Sequence, residues 1–258
     1  MIPKKIHYCW FGKNDLPPLA QKCIQSWREF FPDYEIIEWN EDNFDLNFNR
    51  YVKEAYNEKK YAFVTDVARL YIIYNHGGIY FDTDVEIIKS FENLLKDNAF
   101  FGLEKEGYVS TGLGFGAEKN NKLVKKLLDD YNDMKFINED GTYNNISCPI
   151  INSKVFKEYG FSLKNKYEKI DGISIYPSDF FNPKGGYEKE IIITDNTVSI
   201  HHFDGSWLSN EQKKRAKVLS NLKKKYGIKI GDFLFNTFYL PYRMYSKIKE
   251  RVFCNKEK

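Results

Sequence analysis

The sequence predicts an α/β domain built on a Rossmann-like sheet, followed by a basic helical extension. Three observations predict it. Near the N-terminus, strand patterns at residues 4–11 and 34–39 flank a helical pattern, the strand–helix–strand order that opens a doubly wound sheet. Gly77-Gly78 stop a stronger helix and lead into a short apolar run, Ile79-Tyr80-Phe81, which ends in Asp82-Thr83-Asp84. From Glu211 onward the chain carries a net charge of +10, against −7 for the preceding 210 residues. These features place an α/β domain at 1–208 and a helical extension at 209–258.

A chain of 258 residues with 42% hydrophobic content can bury a core of its own. Global disorder is excluded on that ground. The cysteines at 9, 23, 148 and 254 form no CxxC pair and sit at no zinc-ligand spacing, so free thiols in a reducing compartment are expected. No run approaches eighteen apolar residues, and the first residues lack a signal core. The expected location is cytoplasmic, with peripheral contact at the inner face of the membrane.

The elements follow in order. Leu19, Cys23, Trp27 and Phe30 recur at helical spacing after Pro17-Pro18, and Pro32-Asp33 break that helix. Residues 48–59 read as a polar helix. Residues 61–75 read as a stronger one, with Val64, Ala68, Tyr71 and Ile72 on one stripe and Gly77-Gly78 as its stop. Residues 85–88 read as an edge strand and 99–103 as another. Residues 108–117 are glycine-rich but lack the Gly-Lys-Ser/Thr of a phosphate-binding loop. That stretch either lets an acceptor approach the backbone or simply turns. Helices are expected at 121–131 and 148–159, strands at 173–177 and 197–202, and loops at 136–146 and 179–186. Beyond Asn210 lie two basic helical segments. The second, 230–253, interleaves aromatic residues with Arg243, Lys247, Lys249 and Arg251. That mixture suits contact with an anionic membrane surface, or a helix packed on its own domain with a solvated basic face.

The chemistry gathers at element ends. Asp82 and Asp84 leave a buried strand; they read either as a polar strand terminus entering a turn or as carboxylates that meet a cation. A hard divalent ion, Mg²⁺ or Mn²⁺, fits oxygen ligands of this kind. Asp66 and Arg69 stand three apart, hence on one side of their helix. Taken alone they read as a surface ion pair of little worth. Their place just before the acidic strand argues for a shared pocket. His201 and His202 are adjacent on a strand and so face opposite ways, and at most one aims at a given site.

Three stretches coincide in order: Ile6-His7-Tyr8-Cys9-Trp10-Phe11-Gly12, then residues 61–69 running into 77–84, then residues 201–207. Together they resemble the DXD-containing sugar-nucleotide glycosyltransferases of the capsular-polysaccharide family, whose core the large clostridial glucosylating toxins share. The resemblance spans residues 2–207 and implies a GT-A fold. It implies a metal-dependent, retaining hexosyltransferase with Mn²⁺ or Mg²⁺ as cofactor, a nucleotide-sugar donor with UDP-sugars favoured, and an oligosaccharide or lipid-linked acceptor. No nucleic acid partner is expected. By the same resemblance, Trp10 stacks on the base, and Asp66 and Arg69 hold the donor sugar and diphosphate. Asp82 contacts the ribose and a water of the metal shell. Asp84 and His201 ligate the metal, and Ser206 and Trp207 close over the diphosphate. No catalytic nucleophile or base is implied. Cys148-Pro149 stands where the family often has Gly-Pro, and Thr65-Asp66 replaces a commoner Ser-Asp.

Two other readings compete. Residues 80–85 also fit the opening strand of haloacid-dehalogenase-type phosphatases, with Asp82 as nucleophile and Asp84 as acid. About eighty residues precede that strand here, and the acidic pair needed later falls only at Asp129-Asp130, on a helical pattern. A non-enzymatic sugar- or lipid-binding module would explain the aromatic residues and the basic tail. It leaves the carboxylates, Arg69 and the histidines unexplained.

Overall fold

A computed structural model of the chain describes residues 1–184, 191–205 and 210–239. The expectations for Ser206, Trp207 and residues 240–253 lie outside the described residues. The chain divides into two compact units, the second beginning at Gly205.

The first unit opens as expected, with β1 (Lys5–Cys9), α1 (Pro18–Phe30) and β2 (Glu35–Trp39). Then come α2 (Arg50–Asn57), α3 (Tyr61–His76), β3 (Gly78–Tyr80), β4 (Val85–Ile87), β5 (Ala99–Gly102) and β6 (Phe115–Ala117). The unit closes with α4 (Lys122–Asp129), α5 (Cys148–Tyr159), β7 (Glu168–Ile170), β8 (Ile173–Tyr176), α6 (Ser178–Phe181) and β9 (Ser199–His201). Local chemistry explains several boundaries. Pro18 starts α1, where a missing N–H costs nothing. The side chains of Asn49 and Asn121 cap α2 and α4 by accepting from backbone N–H groups of their first turns.

Seven strands form one mixed sheet in the order β2-β1-β3-β6-β5-β8-β7. The β1/β2, β1/β3 and β5/β8 pairs are parallel, and the other three are antiparallel. The α/β class is therefore the expected one. A core lies on each face. Tyr80, Phe101 and Phe115 meet the buried residues of α2 to α5, whereas Ile79, Phe81 and Phe100 meet Trp27 of α1, Phe91 and Phe181. The alternation follows from the period of two along a strand. Trp27 is fully buried, and its indole N–H donates to Val85 O at 2.8 Å, which ties α1 to β4.

Three expectations are corrected. Residues 85–87 are no edge of the main sheet but pair antiparallel with β9 in a two-stranded sheet of their own. Residues 179–181, expected as part of a loop, belong to the helix that follows Pro177, in which Phe181 packs into the second core. The sequence shows no strand at 168–170, and one forms as the outer partner of β8. Only Ile170 there is apolar. The Glu168 carboxylate anchors the strand by accepting from Ser162 Oγ and from the amides of Ser162 and Leu163.

In the second unit, α7 (Asn210–Tyr226) and α8 (Ile228–Leu234) are followed by a π-helical turn, Phe235–Tyr239. Ile230, Phe233 and Phe238 stand exposed. Among the described residues no helix is long and apolar enough to cross a membrane.

Candidate active site

The site lies at the carboxyl ends of β1, β3 and β5, where a mixed sheet opens toward ligands. The α3–β3 turn, at the amino end of β3, sets the strand that leads into it. Gly77 ends α3 at φ +65°, and Gly78 follows at φ +105°; a Cβ on Gly78 would lie 2.7 Å from Lys5 O. Only glycine meets both demands. His7 of β1 holds the turn from beneath. Its Nδ1 accepts from the Trp39 indole N–H at 3.1 Å, so Nε2 carries the proton and donates to Gly77 O at 3.0 Å. Beyond Tyr80 the chain leaves the sheet and presents Asp82 and Asp84.

Arg69 is 4% exposed and lies at the centre. Its Nη2 is 3.0 Å from Asp66 Oδ1 and 3.2 Å from Asp82 Oδ1. Its guanidinium stacks over the Tyr80 ring at 5.2 Å, and the Tyr80 hydroxyl donates to Asp82 Oδ1 at 3.0 Å. Nη1 faces Thr111 Oγ1 at 3.5 Å and Cys148 Sγ at 3.9 Å. The Asp66–Arg69 pair is thus buried and shared with Asp82, not a surface ion pair. Burial pushes the Asp66 carboxyl up to about 6, against the pull of Arg69. Burial also raises Asp82, again opposed by Arg69.

Asp84 sits in the opposite electrostatic condition. Burial alone would raise its pKa. The His201 ring and the Asp204 amide more than offset this and hold it well below the usual carboxylate range. Asp84 Oδ1 is 3.0 Å from His201 Nε2, and Oδ2 accepts from the Asp204 N–H at 2.9 Å. His201 loses basicity to burial but gains more from Asp84, so its pKa is raised. The two histidines diverge as the strand period requires. His202 pairs with Glu86 at 2.8 Å, and Glu86 also meets Lys22 Nζ at 2.7 Å.

Asp82, Asp84 and His201 each offer a ligand atom within 4.8 Å of the other two. Two carboxylates and an imidazole suit Mn²⁺ or Mg²⁺. His201 Nδ1 is buried and has no partner among the described residues, so this ring keeps donor capacity that the protein does not use. The residues present fit a divalent ion.

The structure brings together Asp66, Arg69, Asp82, Asp84 and His201. Trp10 stands just past β1, half-buried, its indole N–H donating to Asn14 O at 2.6 Å. It is at the same sheet end, one position beyond the register of Asp82. Sequence reasoning missed Tyr80, although the period of two places it on the face of Asp82. It left Gly112 undecided. A Cβ there would lie 2.3 Å from Asp82 Oδ2 and 3.1 Å from Arg69 Nη1, and Gly112 O accepts from the Asp82 N–H at 3.3 Å. The glycine-rich stretch thus packs against the acidic motif itself. Cys148, marked only as a departure from the family pattern, opens α5 beside Arg69.

Residues 17–101 match the family described as glycosyltransferase sugar-binding region containing DXD motif. An inositol phosphoceramide mannosyltransferase of Schizosaccharomyces pombe is 30% identical over 102 residues, which cover 36% of this chain and 27% of that protein. A mannosyl phosphorylinositol ceramide synthase of Saccharomyces cerevisiae is 31% identical over 169 residues, covering 62% and 43% respectively. The chain spans less than half the length of these relatives. Among solved structures, the PaToxG glycosyltransferase shows a TM-score of 0.47 at 18% identity, covering 62% of this chain and 70% of that one. The matched residues 17–101 contain Asp66, Arg69, Asp82 and Asp84, so this part of the chain is similar to the glycosyltransferase sugar-binding regions that carry the DXD motif.

Proposed function

We propose that the chain is a metal-dependent glycosyltransferase. It moves a sugar from a nucleotide diphosphate donor to a hydroxyl of a glycan or lipid-linked acceptor, with retention at the anomeric carbon. The observation that carries this reading is the Asp82–Asp84–His201 group beside the buried Arg69. Asp84 and His201 would hold the ion, with Asp82 beside them and also facing the donor. A bound divalent ion supplies Lewis-acid stabilisation to the diphosphate leaving group. Arg69 adds a fixed positive charge on the same side, held in place by Asp66 and the Tyr80 ring. Trp10 offers an aromatic face for the base.

The sequence favours a UDP-sugar and a capsular acceptor. The relatives named as mannosyltransferases of inositol phosphoceramides favour mannose as the sugar and a lipid-linked acceptor. The basic, aromatic second unit suits such an acceptor at a membrane surface. The phosphatase reading loses support, since Asp129 and Asp130, the acidic pair it needs at a strand end, stand at the end of α4.

The test is a thermal-shift and turnover screen with UDP-, GDP- and CDP-sugars, with and without Mn²⁺. A ligand that binds only the native state raises the melting temperature by mass action. A metal-dependent rise with one nucleotide, together with release of that nucleotide on turnover, is the expected result. Release of phosphate from a simple phosphate ester, with no response to any nucleotide sugar, would overturn the reading.

A further inference from the structure

Among the described residues the site contains a carboxylate, Glu104, that the donor-side network does not employ. Asp66 and Asp82 share Arg69, Asp84 faces His201, and Glu86 lies between Lys22 and His202. Glu104 follows β5 and lies outside the three-residue metal group. Glu104 is half-buried; burial raises its carboxyl, opposed by the nearby His201 ring, and the Ser110 side chain lies beside it.

The orientation follows from the sheet. Along β5, Phe101 and Leu103 enter the core under α3 to α5, while Phe100 and Gly102 face Phe181 on the other side. Glu104 continues the second set, toward the face that carries β9 and His201. Its backbone is fixed. Its N–H donates to Tyr108 O at 2.8 Å, its carbonyl accepts from the Gly107 N–H at 2.9 Å, and Leu103 bridges Val109. The same loop continues to Gly112, which touches Asp82. One short segment therefore spans the metal group, with Glu104 at one end and Gly112 at the other.

We infer that Glu104 is the acceptor-binding residue of this site: its half-buried carboxylate takes the hydrogen bond of the sugar or cyclitol hydroxyl that receives the glycosyl group. The inference rests on the glycosyl-transfer reading above. The negative charge of Glu104 favours a neutral hydroxyl and disfavours a phosphate or carboxylate at the point of attack. In the transfer, the acceptor oxygen bonds to the anomeric carbon and the bond from that carbon to the diphosphate oxygen breaks. The electron pair leaves with the diphosphate, and the acceptor proton passes to a diphosphate oxygen. Glu104 ends as it began, having aligned the hydroxyl.

The test compares the full chain with Glu104→Gln, using UDP-glucose and GDP-mannose with Mn²⁺ as donors. Methyl α-glucoside, methyl α-mannoside and myo-inositol serve as acceptors. Glu104→Gln keeps the shape and fold but loses the anionic acceptor. The expected result is a loss of about tenfold or more in kcat/KM for the acceptor, with donor KM and Mn²⁺ affinity within about twofold. An unchanged acceptor kcat/KM overturns the assignment. A parallel loss of Mn²⁺ and donor affinity also overturns it, by placing Glu104 on the donor side. A parent chain that turns over neither donor overturns the glycosyl-transfer reading, and this one with it.

Discussion

The Nη2 nitrogen of Arg69 lies 3.2 Å from Oδ1 of Asp82, so the helix before the acidic motif is joined to the motif by an ion pair. The same nitrogen lies 3.0 Å from Asp66. Removing the guanidinium would leave two carboxyls, one buried and one partly buried, without their cation. The expected cost of Arg69→Ala is about 3–5 kcal/mol, as for other broken buried pairs. Arg69→Met with Asp66→Asn should recover part of it, since the second change removes one stranded charge. Urea denaturation of both variants checks this. Equal stability of Arg69→Ala and the parent would show that the pair is not buried as described.

Asp84 carries the metal prediction. Asp84→Asn keeps the size of the side chain and can still accept from the Asp204 amide, but it loses the charge opposite His201. Folding should persist, as read by circular dichroism. The Mn²⁺-dependent thermal shift with nucleotide should vanish, and transfer should fall by two orders of magnitude or more, the scale on which single electrostatic groups act at transition states. Chelation of the parent protein should do the same, and added Mn²⁺ should reverse it. Full activity of the variant would remove Asp84 from the metal.

Gly112 tests whether the glycine-rich loop shapes the site or merely turns. A Cβ at this position would come 2.3 Å from Asp82 Oδ2, and the atom it meets is the end of a side chain. Gly112→Ala should therefore swing the Asp82 carboxylate aside and leave the backbone in place. Overpacking costs about 1–3 kcal/mol. Here that cost should appear mainly as weaker Mn²⁺ and nucleotide binding, by about tenfold, with a small change in melting temperature. A large loss of stability with intact binding would show the reverse allocation.

Local patterns made much of this legible. Trp27 and Cys23 announced α1, Gly77-Gly78 announced the end of α3, and Asp82-Thr83-Asp84 announced the strand end that follows. The period of two separated His201 from His202, and the structure sends them to Asp84 and Glu86 respectively. What was illegible depends on contacts between distant segments. β4 left the main sheet because β9, more than a hundred residues later, pairs with it. Gly112 and Cys148 are ordinary residues in one dimension and become part of the site only when β6 and α5 bring them to Arg69. β7 has one apolar residue, and its strand is held by a ladder with β8 that no periodicity encodes.

His7 gives the pH prediction. It is fully buried between Trp39 and the Gly77 carbonyl as the neutral Nε2–H tautomer. Burial lowers its pKa from 6.5 to about 4; the Gly77 carbonyl opposes the drop, and His76 and Lys5 deepen it. Between those two values the unfolded chain binds the proton and the folded chain does not. Stability from this residue therefore rises with pH across the window and is lost as pH falls from 6.5 toward 4. The full drop is on the order of 3 kcal/mol at 1.36 kcal/mol per unit. Asp66, raised by burial to about 6, acts oppositely in the same range, so the parent curve alone does not isolate His7. His7→Gln does, because it keeps a hydrogen-bonding side chain that does not titrate. The parent should be the more stable at pH 7.5, and its advantage should shrink by about 3 kcal/mol by pH 4. Urea denaturation of both proteins at several pH values reads this directly. Parallel stability curves would mean that His7 takes up a proton in the folded protein as readily as in the unfolded chain, and that the α3–β3 turn does not depend on its neutral tautomer.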